Sequence, residues 1–72
     1  DFIIYPNPSN QTIYIDGIRD VIEVQILNIE GKRIKSVQFK SNQIDISDLN
    51  QGVYFLKLVS SESTYVEKFV VE

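Results

Sequence analysis

Apolar and polar residues alternate with a period of two along most of this chain, as expected of strands with one buried face. Residues 11–16 place Ile13 and Ile15 on one face and Thr12 and Tyr14 on the other. Residues 21–29 set Ile22, Val24 and Ile26 against Glu23 and Gln25. In 43–47, Ile44 and Ile46 point inward and Asp45 outward. In 64–72, Tyr65, Phe69 and Val71 oppose Val66, Lys68 and Val70. Two segments depart from this pattern. In 33–40, Ile34 is out of phase with Val37 and Phe39, which predicts a β-bulge near Lys35 and Ser36. In 52–59, Tyr54, Leu56 and Leu58 share one face, but Val53, Phe55 and Val59 make the other apolar too. Such a strand belongs in the middle of a sheet or beneath another element.

A short apolar strand at 2–5 opens the series. Pro6-Asn7-Pro8-Ser9-Asn10 closes it, because two prolines fix φ and remove two backbone donors. Asp16-Gly17, Glu30-Gly31-Lys32, Ser41-Asn42 and the polar run 60–63 are turn signals. The most distinctive punctuation is 46–54. It is a polar turn with one apolar anchor, Leu49, that stops at Gly52 before a strand, 53–59, whose second residue is Tyr54. Seven short strands about ten residues apart predict an all-β fold, a small antiparallel β-sandwich. No segment carries a helical period, and one domain is expected across 1–72.

The size leaves little stability to spare. A chain of 72 residues and 8.3 kDa scales to about 4,600 Å² of folded surface and about 12,000 Å² unfolded. With about 60% of the difference apolar, burial contributes roughly 110 kcal/mol. Conformational ordering opposes it by about the same amount. Cys and His are both absent, so there is neither a disulfide framework nor a thiolate metal site. The commonest general base and metal ligand is missing as well. A net charge of −3 argues against a nucleic-acid partner. No apolar run approaches the ~20 residues of a membrane-spanning helix. No secretory signal opens the chain. The strand pattern starting almost at Asp1 predicts a piece of a longer protein, with any export signal elsewhere in it.

Candidate chemistry is sparse. Asp45 and Asp48 form a carboxylate pair, but on a surface turn where nothing raises a pKa. Asp48 is expected to brace that turn through local backbone hydrogen bonds. Calcium on Asp45, Asp48 and Asn50 would not match the ligand spacing of an EF-hand loop. Ser47 has no His and no Lys partner to activate it. Lys32, Arg33, Lys35 and Lys40 cluster on one hairpin, either as a patch for an anionic partner or as a solvated edge whose lysines discourage pairing. Asn10-Gln11-Thr12 matches the glycosylation triplet, although Asn10 equally suits a turn. Four Tyr and four Phe suit a sugar platform or a sandwich core, and their strand positions favour the core. No catalytic residue, metal or cofactor is expected.

Four segments, in this order and spacing, resemble one known family. They are Tyr5-Pro6-Asn7-Pro8; Ile26-Leu27-Asn28 followed by Gly31-Lys32 and Ile34; Ile46-Ser47 with Leu49 and Gly52-Val53-Tyr54; and the terminal run 66–71. Nearly the whole chain is similar to the type A C-terminal sorting domain of type IX secretion substrates, the Por secretion system of Bacteroidota. Asn28 stands where Asp is frequent in that family, and Glu67 beside Lys68 where two basic residues are common.

The resemblance implies an immunoglobulin-like sandwich of seven strands with no activity of its own. It implies a signal that directs an N-terminal cargo through the outer-membrane translocon to the cell surface, where a sortase-like peptidase usually removes it. Tyr5, Pro6, Asn7, Pro8, Gly31, Lys32, Leu49, Gly52 and Tyr54 are then structural signature positions. An end strand can be read by β-augmentation, so Lys68, Phe69, Val70, Val71 and Glu72 are the expected recognition residues, in a domain expected to be monomeric. The alternative is a non-catalytic accessory β-sandwich, a fibronectin-like spacer or a carbohydrate-binding module of an extracellular enzyme. It shares the fold, so fold alone does not decide.

Overall fold

A computed structural model describes residues 3–6, 11–17, 20–38 and 42–72. Seven strands follow one another: β1 (Ile3–Tyr5), β2 (Thr12–Asp16), β3 (Val21–Leu27), β4 (Arg33–Gln38), β5 (Gln43–Asp45), β6 (Gly52–Ser60) and β7 (Thr64–Val71). They form two antiparallel sheets ordered β1-β2-β5 and β4-β3-β6-β7. With strands lettered A to G, the sheets are A-B-E and D-C-F-G. The fourth strand therefore stays beside its hairpin partner β3, instead of joining the other sheet as in constant-type immunoglobulin domains. The short turn at 28–32 keeps the two strands together.

The inward positions of both sheets meet in one core. Ile13 and Ile15 face Val24, Ile26, Leu56 and Leu58, with Ile44, Ile46, Tyr54, Phe69 and Val71 completing it. Leu49, the apolar anchor of the 46–54 turn, packs against this core from its rim. The accessible surface is 4814 Å², close to the size expectation. The strand β6 lies between β3 and β7, which explains why both of its faces are apolar.

Two expectations about phase need correction. Ile22 does not join Val24 and Ile26 inside; it is 57% exposed. The ladder with β6 steps from Val21–Ser60 to Glu23–Val59, so Ile22 is the extra residue of a bulge and Val21 takes its place against the core. The bulge in β4 lies at Ile34, one residue before the expected site, because Ile26 pairs with Lys35 and Leu27 with Arg33. That leaves Ile34 half in solvent and returns Val37 to the core side. The third strand ends at Leu27, two residues short of its expected end, where Asn28 starts the turn. Phe2, Asn7, Pro8, Asn10, Phe39 and Lys40 lie outside the described residues.

The 46–54 punctuation is a tyrosine corner. Tyr54 Oη donates to the Asn50 carbonyl at 2.7 Å, the backward bond at the start of the sixth strand found in immunoglobulin-like sandwiches. Gly52, at φ +155°, lets the chain swing from the turn into β6 in a conformation closed to residues with a Cβ. Tyr54→Phe is expected to lower stability by about 1 kcal/mol, the value of one hydrogen bond. Gly52→Ala is expected to lower it by about 1–3 kcal/mol through backbone strain. Urea denaturation of the two variants checks both, and an unchanged midpoint in Gly52→Ala would refute the strain.

Candidate functional site

Two turns and one strand carry the residues that the sequence singles out. In the β3–β4 turn, Gly31 N donates to Asn28 O at 3.0 Å, with Gly31 at φ +86°. Asn28 Oδ1 accepts from both Glu30 N and Lys32 N at 2.9 Å. The Asn28 side chain thus braces the turn, and an Asp carboxylate would accept the same two bonds. Asn28 was legible only as part of a motif. Its position two residues before a Glu-Gly pair is the signal for its role.

In the turn after β5, Ser47 N donates to Asp45 Oδ1 at 2.9 Å and Leu49 N to Ile46 O at 3.0 Å. The local brace is therefore Asp45, not Asp48 as the sequence suggested. Asp48 instead meets Lys35, whose Nζ lies 3.1 Å from Asp48 Oδ1 and donates to Asp45 O at 2.8 Å. Lys35 leaves the edge strand β4 of one sheet and clasps the turn that follows the edge strand β5 of the other. The basic hairpin is accordingly no single patch: Lys35 turns inward to the clasp, while Lys32 and Arg33 stay exposed. No group of three or more acidic residues that could hold a metal ion occurs among the described residues; Asp45 and Asp48 are instead engaged by Ser47 N and Lys35 Nζ. Nothing in the local sequence announces the clasp, because it joins residues that only the sandwich brings together.

The terminal strand divides sharply by face. Phe69 and Val71 are fully or nearly fully buried. Phe69 stands opposite Tyr54 in the β6–β7 ladder, and their rings stack at 5.7 Å between centroids. These two side chains belong to the core, whereas the sequence reading put them among the recognition residues on the strand's surface. Lys68 and Glu72 are exposed, and Val70 is half-buried. β7 is an edge strand of the four-stranded sheet, paired with β6, and Tyr65, Lys68 and Val70 each have interactions within the domain. At the other end of the chain, Tyr5 and Pro6 are exposed, and Tyr5 stacks on Tyr14 at 5.5 Å.

A family model described as "Secretion system C-terminal sorting domain" matches residues 3–72. The chain belongs to this family. No curated protein matches it. The sorting domain is the C-terminal secretion signal of type IX cargo, a non-catalytic tail that directs export across the outer membrane to the cell surface or the medium. The signal reading therefore prevails over the accessory-module alternative. No helix among the described residues is long and apolar enough to cross a membrane.

Two carboxylates titrate below their ordinary range. Ser36 and Gln25 donate to Glu23, with help from Arg33 and Lys57, and hold it below 4.5. Ser47, mainly through its backbone N–H, and then Lys35 hold Asp45 below 3.8. A carboxylate with a depressed folded pKa contributes stability above its unfolded pKa and loses it as pH falls through the folded value. The thermal midpoint is therefore expected to be flat near neutrality and to fall once pH drops below about 4.5. Ser36→Ala should flatten the part of that fall due to Glu23. A midpoint that rises on acidification would contradict the assignment.

Proposed function

We propose that residues 1–72 are one sorting domain of a larger secreted protein, with its cargo on the N-terminal side. We propose further that the type IX translocon reads the domain folded, through the solvent side of the last strand. The observation that carries this reading is the division of β7 by face. Phe69 and Val71 fix the strand in the core, which leaves Lys68 and Glu72 at defined positions on the surface. A rigid strand loses little side-chain or backbone freedom when a receptor binds, which favours affinity. Tyr5, Gly31, Lys32, Leu49, Gly52 and Tyr54 then act as framework that holds the strand in place. Pro6, Asn7 and Pro8 belong to the entry from the cargo. A sortase-like surface peptidase removes the domain after passage. The domain itself performs no chemistry.

The test is a reporter with an N-terminal export signal, fused ahead of this chain in a type IX-competent host. The reporter is expected at the surface or in the medium without the mass of the domain. Lys68→Glu, folded as judged by an unchanged thermal midpoint, is expected to reduce display about tenfold. Phe69→Ala is expected to abolish display by unfolding, at about 3–5 kcal/mol. Full display by a folded Lys68→Glu variant would remove Lys68 from the contact. Retention of the unmodified fusion in the periplasm would overturn the sorting reading for this chain.

A further inference from the structure

We infer that the outer face of the four-stranded sheet is the docking surface of this domain, and that it takes a protein partner presenting apolar side chains flanked by carboxylates. This rests on the sorting reading and specifies the surface and the chemistry of its receptor. The ladder registers place the side chains. Leu27 stands opposite Phe55, and Phe55 opposite Lys68; Arg33 pairs with Leu27 at the far side. One row across all four strands thus reads cation, aliphatic, aromatic, cation. Val53 pairs with Val70 beside it, and Lys57 with Val66 on the other flank.

The apolar part of this face is not covered by the domain. Val53 is 40% exposed and Val66 55%, and Leu27, Phe55, Val59 and Val70 are half-buried. Contiguous exposed apolar surface of this kind marks an interaction site in a soluble domain. An aromatic residue at its centre with charges at its rim is the arrangement of an interface hot spot.

Charge selects the occupant. Among the paired residues of this face, Arg33, Lys57 and Lys68 are the cations and Glu23 is the carboxylate, with exposed Glu72 following at the end of β7, so cations outnumber carboxylates three to two. Glu23 is engaged by Ser36 and Gln25. The chain as a whole carries −3, so this face is a positive region on a negative domain. It would steer toward a surface with carboxylates. A second copy docked through the same face about a two-fold axis would set cations against cations. An anionic membrane would attract the face and repel the rest of the domain. The opposite sandwich face has its own exposed apolar group, Ile3, Tyr5 and Tyr14, but Asp16 and Asp45 share that sheet, so it offers the wrong charge for the same partner.

The experiment uses the same reporter fusion with Arg33→Glu and Val66→Glu together. Val66 lies directly across from Lys57, so the new carboxylate gains a cross-strand ion pair and the fold is retained; thermal unfolding of the isolated chain verifies this. Surface display is expected to fall about tenfold or more, while Ile3→Thr on the opposite face leaves display unchanged. Normal display by the folded double variant overturns the inference, as does loss of display by Ile3→Thr alone. If the unmodified fusion is not displayed, the sorting reading has failed instead, so the two failures are distinguishable. Two binding arms address the other occupants. The isolated chain is expected to stay monomeric in sedimentation and not to bind phosphatidylglycerol vesicles at physiological salt. Self-association or vesicle binding that the double variant abolishes would replace the protein partner with a second copy or an anionic lipid surface.

Discussion

The structure is organised around the bond from Tyr54 Oη to the Asn50 carbonyl, because that bond ties the turn leaving one sheet to the strand entering the other. A chain that crosses between sheets exposes backbone carbonyls where no ladder can satisfy them. The phenol satisfies one of them and buries its ring in the same movement. Its other side stacks on Phe69, so the corner also fixes the last strand. Leu49 closes the rim beneath it, and Gly52 supplies the backbone geometry that lets a turn residue and a core residue stand only four positions apart.

The last strand inherits its order from this corner. Eight consecutive pairs join β6 to β7, from Gly52–Val71 to Val59–Thr64, and the stacked Tyr54–Phe69 pair sets their phase. A slip of one residue would expel Phe69 and Val71 and bury Lys68. The cost of that exchange locks the register, and with it the outward side chains. In the folded domain the apolar side chains at 69 and 71 are buried, and Lys68 stays on the outer side of the strand.

Two bulges and a clasp shape the rest. Each bulge adds one isoleucine, Ile22 in β3 and Ile34 in β4, and each aims it at solvent. Bulges increase local twist and turn an edge away from further pairing, which suits the exposed strand β4. Lys35 spans the open side of the sandwich to Asp45 and Asp48. Exposed ion pairs of this sort add little stability; the clasp instead commits a hairpin lysine to the framework and leaves the cations of the outer sheet face to define its charge.

Alternation along the chain was enough to determine the strands, the inward sets at 13 and 15, 24 and 26, 44 and 46, and 54, 56 and 58, and the sandwich class, because a period of two follows directly from strand geometry. The spacing of Leu49, Gly52 and Tyr54 marked the corner without disclosing its bond. The tertiary structure alone decided which residues interrupt the alternation. Ile22 and Ile34 look like core residues in sequence, and only the pairing with neighbouring strands makes them extra. It alone decided that Lys35 reaches Asp48, thirteen positions away, and that Phe69 and Val71 serve the core while Arg33, Leu27, Phe55 and Lys68 line up across four strands. Such rows depend on register between distant segments, which local sequence does not encode; it is fixed by the burial of the whole face at once.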